Sequence, residues 1–439
     1  MTRAKILLTA ILLPILAAAG SAQAPADPVL PAERMWIAGK LYAAVGSHFG
    51  HWPAVPDLDL DSAYRAYVEE ALRAEDRFAF DLASMAFLAQ LRNGHTDFND
   101  PWLWQTRGQP VGFRLEAADA SWVVAESRVP RLTIGDVVVA IDGEDVGAFV
   151  TERGRYVSAS DPVARVRMLF FRPFLFPETF DLLLADGRVV RIDRRAQVLD
   201  PAPSRAVRQD TVGRGIPYLA VPGFDDPAME RAAVAFVVEH GDAPALIIDV
   251  RANGGGTTPI ALIEALMDRP YRDFTEATSF SIALYSAYRQ VGRIAGPGQL
   301  TDYVRGLVDA FAGYEHPELR WPGTIHRPAD PVFSGRVAIL ADNGCASACE
   351  DFLLPFKTSG RGAILGERTR GSTGQPFLYS FDNGMSFRVS TKRVYFPDGS
   401  PFEGVGIAPD VEVVPTIDDL RAGRDPVLDR AIDLLSGGT

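Results

Sequence analysis

Ser347 has the local setting of a nucleophilic serine. It stands between Ala346 and Ala348, and the only two cysteines of the chain, Cys345 and Cys349, lie one position further out on each side. Small flanking residues leave a hydroxyl sterically open and let backbone amides approach it, which a nucleophile requires. A tight helix start has a similar sequence, so this stretch alone does not decide the role of Ser347.

A triple glycine at residues 254 to 256 follows an apolar, strand-like run and precedes a helical pattern. Glycines at such a turn let backbone N–H groups approach a ligand, and the helix N-terminus favours negative charge there. The turn could form an oxyanion hole. It lacks the spacing of a dinucleotide-binding fingerprint and the lysine of a P-loop. A flexible turn without a ligand is the alternative that the stretch leaves open.

Two further residues could supply the acid–base groups that a serine nucleophile needs. His95, in NGHTDF, follows a glycine at the end of a predicted helix, where a side chain can face a cleft. Glu403 lies between Phe402 and Gly404, and a carboxylate buried there needs a donor such as an imidazolium. Each residue also has a purely structural interpretation: His95 could be a histidine packed in the core, and Glu403 could be a turn glutamate exposed to solvent.

Cys345 and Cys349 are four residues apart. Across a regular helical turn their Cα separation approaches the upper limit of disulfide geometry, so two buried thiols are the default expectation. A disulfide is the alternative, because exported chains commonly pair their cysteines. A metal site is set aside, since no further soft ligands lie nearby in the sequence.

Sequence patterns predict three structural regions that would position these groups. Apolar residues at helical spacing indicate a helical bundle over residues 25–105. Short alternating runs joined by Asp–Gly and Gly–Asp turns indicate a β domain over residues 106–200. Residues 205–439 contain near-continuous apolar strands alternating with helix-length segments, which is typical of an α/β fold whose sheet is covered on both faces. These strands are IPYLAVPGF, PALIIDVR, GRVAILADN and GAILGER.

Composition and charge narrow the class of protein. The chain has 439 residues, of which 47% are hydrophobic, and a formal net charge of −12. This profile is typical of a globular protein of two or three domains. Without a basic cluster to neutralise phosphates, nucleic-acid binding is disfavoured.

The first residues have the pattern of a secretory signal peptide, predicted over residues 1–24. Two basic residues precede an apolar run at 6–19, and small residues follow, so that cleavage after Ala22 or Ala24 is possible. The run is shorter than the ~20 residues that span a bilayer. We therefore expect an exported protein, periplasmic or extracellular, with no stable membrane anchor after cleavage.

Four stretches, in the order IIDVRANGGG, VAILADNGCASACEDF, GERTRGSTG and FEGVGIAPDVEV, resemble the tail-specific, or C-terminal processing, serine proteases. Relatives of that family include the tricorn protease core and the interphotoreceptor retinoid-binding protein. The similarity covers roughly residues 215–415. It implies a crotonase-like α/β catalytic domain in which Ser347 is the nucleophile, and Gly255 or Gly256 forms the oxyanion hole with Ala348.

The family divides over its general base. One branch carries a lysine in a T-x-G-K stretch, but Ser372 stands at that place here, so the resemblance implies that a serine/lysine dyad is unavailable. The tricorn-like branch uses a histidine and a glutamate, which match His95 and Glu403. The resemblance thus implies an endopeptidase in which Ser347 attacks, His95 is the base and Glu403 orients the imidazole. No metal or organic cofactor is expected, and activity should rise from about pH 6 to 7.5 as an ordinary imidazole loses its proton.

The β domain resembles a PDZ module. IGDVVVAIDGEDV has the turn–strand–turn pattern of that module, and VGFRL could be the strand whose preceding loop captures a peptide terminus. The resemblance implies polypeptide or peptide substrates. The alternative function is a non-catalytic protein of the same fold that binds apolar ligands or peptides. The joint presence of serine, histidine, glutamate and glycines favours catalysis.

Overall fold

The computed structural model describes most of the chain, namely residues 29–202, 205–279, 318–328 and 332–437 and a few isolated positions between 280 and 317. The predicted signal peptide at 1–24 lies outside the described residues. Within the described ranges, none of the helices combines the length and the apolar character that a membrane crossing requires.

The described α-helices are α1 Pro31–His48, α2 Leu60–Arg73, α3 Arg77–Ala89, α4 Pro101–Arg107, α5 Val146–Gly154, α6 Pro162–Phe170, α7 Pro227–Glu239, α8 Ile260–Leu266, α9 Ala348–Ser359, α10 Ile417–Ala422 and α11 Pro426–Ser436. Several of them begin at an aspartate whose carboxylate accepts backbone N–H groups of the first turn. Asp161 does so at α6, accepting from Val163 and Ala164. Such caps satisfy amides that the helix leaves without a partner.

The described strands are β1 Asp97–Asn99, β2 Phe113–Ala118, β3 Ser121–Ser127, β4 Val137–Ile141, β5 Glu144–Asp145, β6 Thr179–Leu184, β7 Val189–Asp193, β8 Arg208–Val212, β9 Ile216–Ala220, β10 Ala245–Asp249, β11 Tyr271–Arg272, β12 Thr275–Ser279, β13 Glu318–Trp321, β14 Ile325–His326, β15 Arg336–Ala341, β16 Ala363–Gly366, β17 Pro376–Ser380, β18 Ser386–Ser390, β19 Lys392–Tyr395 and β20 Val411–Glu412. Together with the helices they form a mixed α/β fold, as predicted. The strands predicted from the four apolar runs are β9, β10, β15 and β16, and they are confirmed.

A six-stranded sheet in the order β20-β16-β15-β10-β9-β8 lies at the centre of the C-terminal half. Its strands are parallel except for β8, which pairs antiparallel with β9. In register, Asp249 pairs with Leu340, and Ala341 pairs with Gly366. The loops after β10, β15 and β16 therefore leave the sheet at one edge, where the glycine turn, Ser347 and Ser372 follow.

Hydrophobic side chains cover this sheet on both faces. Alternate residues of β10 belong to two different core clusters: Leu246 and Ile248 to one, Ile247 to the other. Burial on both faces explains why β10 and β15 are nearly continuous apolar runs rather than alternating ones.

The N-terminal helices and the β domain share one hydrophobic core. The β domain contains an antiparallel sheet in the order β2-β3-β4-β6-β7, in agreement with the alternating runs predicted over residues 106–200. Strand β1 pairs with β18, which comes from the C-terminal half, and aligns Asp97 with Arg388 and Phe98 with Phe387. This pairing fixes the loop before β1, which carries His95, against the C-terminal half.

Candidate active site

Ser347 lies at a sharp turn between β15 and α9. Its φ is 57° and its ψ is −123°, a region that non-glycine residues rarely occupy because of steric strain. A Cβ on Gly255 would lie 2.6 Å from the carbonyl oxygen of Ala346 and 2.8 Å from Ser347 Cβ. Position 255, at φ 94°, therefore requires glycine, because the turn at Ser347 occupies the space that a side chain would need.

Cys345 and Cys349 form a disulfide that brackets Ser347, with their Cα atoms 5.4 Å apart. The default expectation of two free thiols is wrong. It assumed a regular helical turn across the pair, whereas α9 begins only at Ala348. The turn at Ser347 brings the two cysteines well inside the Cα range of ordinary disulfides.

Glu350 is a buried carboxylate that binds Ser347 and the neighbouring loop at residues 369–372. It accepts hydrogen bonds from the backbone N–H groups of Ser347 (3.0 Å), Gly371 (2.6 Å) and Ser372 (3.0 Å), and from the hydroxyl of Thr369 (2.6 Å). Burial raises the pKa of Glu350 to about 7, while these donors favour the ionised form and oppose the rise. Glu350 was not predicted as a site residue, although a glutamate three positions after a serine at a helix start is a known capping pattern.

His95 is 8% exposed and lies in the tight loop that connects α3 to β1. Its backbone N–H donates to Asn93 Oδ1 at 2.9 Å, and its Nδ1 lies 3.1 Å from Ser372 Oγ. Burial, followed by the charge of Arg388, lowers the pKa of His95 to about 3. The imidazole is therefore neutral over a wide pH range. With this pKa, His95 does not titrate between about pH 6 and 7.5, so its titration does not produce the activity rise expected there.

Glu403 supports the loop of His95 but has no hydrogen bond to the imidazole. Its Oε1 accepts from Asn93 Nδ2 and from Ser160 Oγ, both at 2.8 Å, and Oε2 accepts from Thr373 N–H at 3.3 Å. Asn93 also accepts the His95 amide, so Glu403 reaches His95 through Asn93. Burial raises the pKa of Glu403 to about 8. The direct contact implied by the family resemblance is not seen.

The predicted oxyanion donors differ in availability. The N–H of Gly255 donates to Asn253 Oδ1 at 2.9 Å and is therefore occupied. Within the described part of the chain, the N–H groups of Gly256 and Ala348 have no acceptor. Gly255 is therefore required for steric reasons rather than as a free donor. Among the described residues, Gly256 and Ala348 have free N–H groups close to the turn at Ser347.

Ser347 and His95 line one cavity of about 140 Å³. Gly256 and Ser372 line the same cavity, as do two arginines, Arg370 and Arg388. The structure thus brings together residues from both halves of the chain that the sequence analysis selected. Neither Glu403 nor Ala348 is among the described lining residues. Within the described part of the chain, the imidazole is hydrogen-bonded to Ser372 and not to Ser347.

Comparisons with known proteins show that the chain is similar to serine-type peptidases. Residues 215–413 match the model of Peptidase family S41. The chain is 22% identical to the chloroplastic C-terminal processing peptidase of Tetradesmus obliquus, over 64% of this chain and 53% of the relative. It is 25% identical to the tricorn protease of Thermoplasma acidophilum, over 69% of this chain and 24% of the relative. The resemblance to this group of peptidases is therefore confirmed.

A solved structure supports the fold over most of the chain. The crystal structure of mature CPAF superposes with a TM-score of 0.66 at 15% identity, covering 93% of this chain and 99% of that one. The chain spans about half the length of the chloroplastic relative and about a quarter of the tricorn protease.

Proposed function

We propose that the protein is an exported serine endopeptidase that hydrolyses polypeptides. The observation that carries the proposal is that Ser347 and His95, which are 252 positions apart in sequence, line the same small cavity. Ser347 Oγ attacks the carbonyl carbon of the scissile bond, and its proton passes to the imidazole. His95 then donates that proton to the leaving amine, and the resulting acyl-enzyme is hydrolysed by water with His95 again acting as the base.

The hydrogen bond at Nδ1 assigns the roles of the two imidazole nitrogens. Because Nδ1 of His95 is engaged by Ser372, Nε2 is the nitrogen available to Ser347. The free N–H groups of Gly256 and Ala348 are our candidate donors to the tetrahedral oxyanion. Glu403 acts as a positioning residue, since it holds the loop of His95 through Asn93.

The proposal also covers the types of the two domains and the export of the protein. We propose that the β2–β7 sheet with α5 and α6 is a PDZ-like module, and that the C-terminal half is crotonase-like. Export is supported by the signal-like N-terminal sequence and by the Cys345–Cys349 disulfide, because disulfides persist in oxidising compartments.

Peptide hydrolysis by matched variants tests the proposal. Ser347→Ala should lower kcat by about 10³-fold or more and leave the thermal unfolding curve close to that of the wild type. Ser380→Ala, which changes an exposed serine of β17, is the control and should keep full activity. Full retention of hydrolysis by Ser347→Ala would overturn the assignment of Ser347 as the nucleophile. Absence of peptide hydrolysis in the wild type would overturn the peptidase proposal and would favour the alternative, a non-catalytic binding protein.

A further inference from the structure

Arg370 is fixed next to the nucleophile turn by main-chain acceptors. Its Nε donates to the carbonyl of Asn343 at 3.4 Å, and its Nη2 donates to the carbonyl of Gly344 at 3.2 Å. Its Nη1 contacts the sulfur of Met168 at 3.7 Å. Since Asn343 and Gly344 belong to the loop that leads to Ser347, the guanidinium is held at a set position in the cavity.

Arg370 also differs from the neighbouring arginines in forming no direct salt bridge with a carboxylate of the described residues. Arg388 pairs with Asp97 at 2.7 Å, and Arg167 pairs with Asp342 at 3.2 Å. No salt bridge joins Arg370 to a carboxylate of the described chain, and the described residues that line the cavity include no aspartate or glutamate. Burial lowers the pKa of Arg370, and Glu350, Asp161 and Asp342 act on its charge without a direct salt bridge. A carboxylate that enters the cavity could therefore make the direct contact that these three do not make.

The guanidinium has unused donors for such an anion. Of its five N–H groups, three are engaged, which leaves one on each terminal nitrogen. A carboxylate accepts two N–H groups of a guanidinium side by side, and this arrangement is stronger and more specific than a single contact.

We propose that Arg370 selects substrates that place a carboxylate beside the scissile bond. The inference rests on the proposed peptidase function, because the cavity that Arg370 lines is the one that holds Ser347. The carboxylate belongs either to an aspartate or glutamate side chain or to a nearby chain terminus. A lysine or arginine in the same position of the substrate is disfavoured by like charge.

Pairs of quenched fluorescent peptides test this selectivity in the full chain. One pair differs only in Glu or Gln at a residue flanking the cleaved bond, and a second pair has a free or an amidated C-terminus. We expect wild-type kcat/KM to be about tenfold or more higher for the carboxylate member of one pair, and the responding pair identifies the source of the carboxylate. Arg370→Gln should bring that ratio close to one, and Arg370→Lys should keep part of it.

Two controls separate selectivity from a loss of structure. Arg368→Gln changes an exposed arginine on the same loop and should keep the wild-type ratio. Peptide binding to Ser347→Ala, with and without Arg370→Gln, is measured by fluorescence anisotropy and requires no turnover, so this measurement holds even if the peptidase function fails. A ratio near one in the wild type, an unchanged ratio in Arg370→Gln, or equal binding of both members by Ser347→Ala would overturn the proposal.

Discussion

The Nδ1 atom of His95 lies 3.1 Å from the hydroxyl oxygen of Ser372. Ser372 comes from the loop after β16, and its backbone also contacts the nucleophile region, because its carbonyl accepts the N–H of Ser347 at 2.9 Å. One residue therefore contacts both proposed catalytic residues. The resemblance to tail-specific proteases would place a lysine at this position in one branch of that family, whereas here a neutral hydroxyl contacts the imidazole.

The first prediction follows from this contact. Ser372→Ala removes the hydroxyl and leaves the backbone bonds to Ser347 and Glu350 in place, so we expect the protein to stay folded. Loss of one neutral hydrogen bond should lower kcat by about tenfold, with a smaller change in KM. Ser372→Thr retains a hydroxyl and should recover part of the loss. An unchanged kcat in Ser372→Ala would show that the contact does not orient His95.

The second prediction concerns Glu403 and pH. Burial raises its pKa from 4.5 to about 8, so the folded protein keeps a proton that the unfolded chain releases. Its contribution to stability is present below about pH 4.5 and is lost as pH rises through about 8. Glu403→Gln stays neutral, and its melting temperature should fall less between about pH 5 and 8 than that of the wild type.

The control for that measurement is Glu412→Gln, which changes an exposed glutamate. It should follow the wild-type dependence of melting temperature on pH. A Glu403→Gln variant with the same pH dependence as the wild type would show that Glu403 is ionised at neutral pH in the folded protein.

The third prediction is that His95 stays neutral down to about pH 5. Burial and the nearby Arg388 disfavour the imidazolium and lower the pKa to about 3. Long-range ¹H–¹⁵N NMR spectra of the imidazole nitrogens report this directly, and the signals of His95 are those absent from His95→Asn. Titration of these signals with a midpoint between about pH 6 and 7 would contradict the burial argument.

The fourth prediction concerns the disulfide around the nucleophile. Mass spectrometry under non-reducing conditions should find the bridged form of Cys345 and Cys349. The closed loop is short, so we expect a Cys345→Ser/Cys349→Ser variant to lose only about 2 kcal/mol of unfolding free energy. It should lose several-fold in kcat, because the bridge restrains the strained backbone of Ser347. Free thiols in the untreated protein would rule out this role.

The central sheet was predictable because its signals are local. Strands such as β10 are buried on both faces, and that burial requires an unbroken apolar run. Helix α6 was not predicted, although Asp161 followed by Pro162 is a standard helix start.

The details of the site were less predictable because they depend on contacts between distant segments. Pairing of β1 with β18 joins residues about 290 positions apart, and no local pattern specifies it. The bond of Glu403 to Asn93, rather than to the imidazole, arises from that same loop placement. The residues of the site could therefore be predicted from sequence, whereas their hydrogen-bond partners could not.

The most direct test of the central claim is the rate at which a fluorophosphonate probe modifies the folded protein, with the modified residue identified by mass spectrometry. We predict modification of Ser347 in the wild type and a rate about 10²-fold or more lower in folded His95→Ala, because the general base is lost. His240→Ala, a change at the C-terminal end of α7, should react at the wild-type rate. Modification of a different residue, or an equal rate in His95→Ala, would contradict the serine–histidine mechanism.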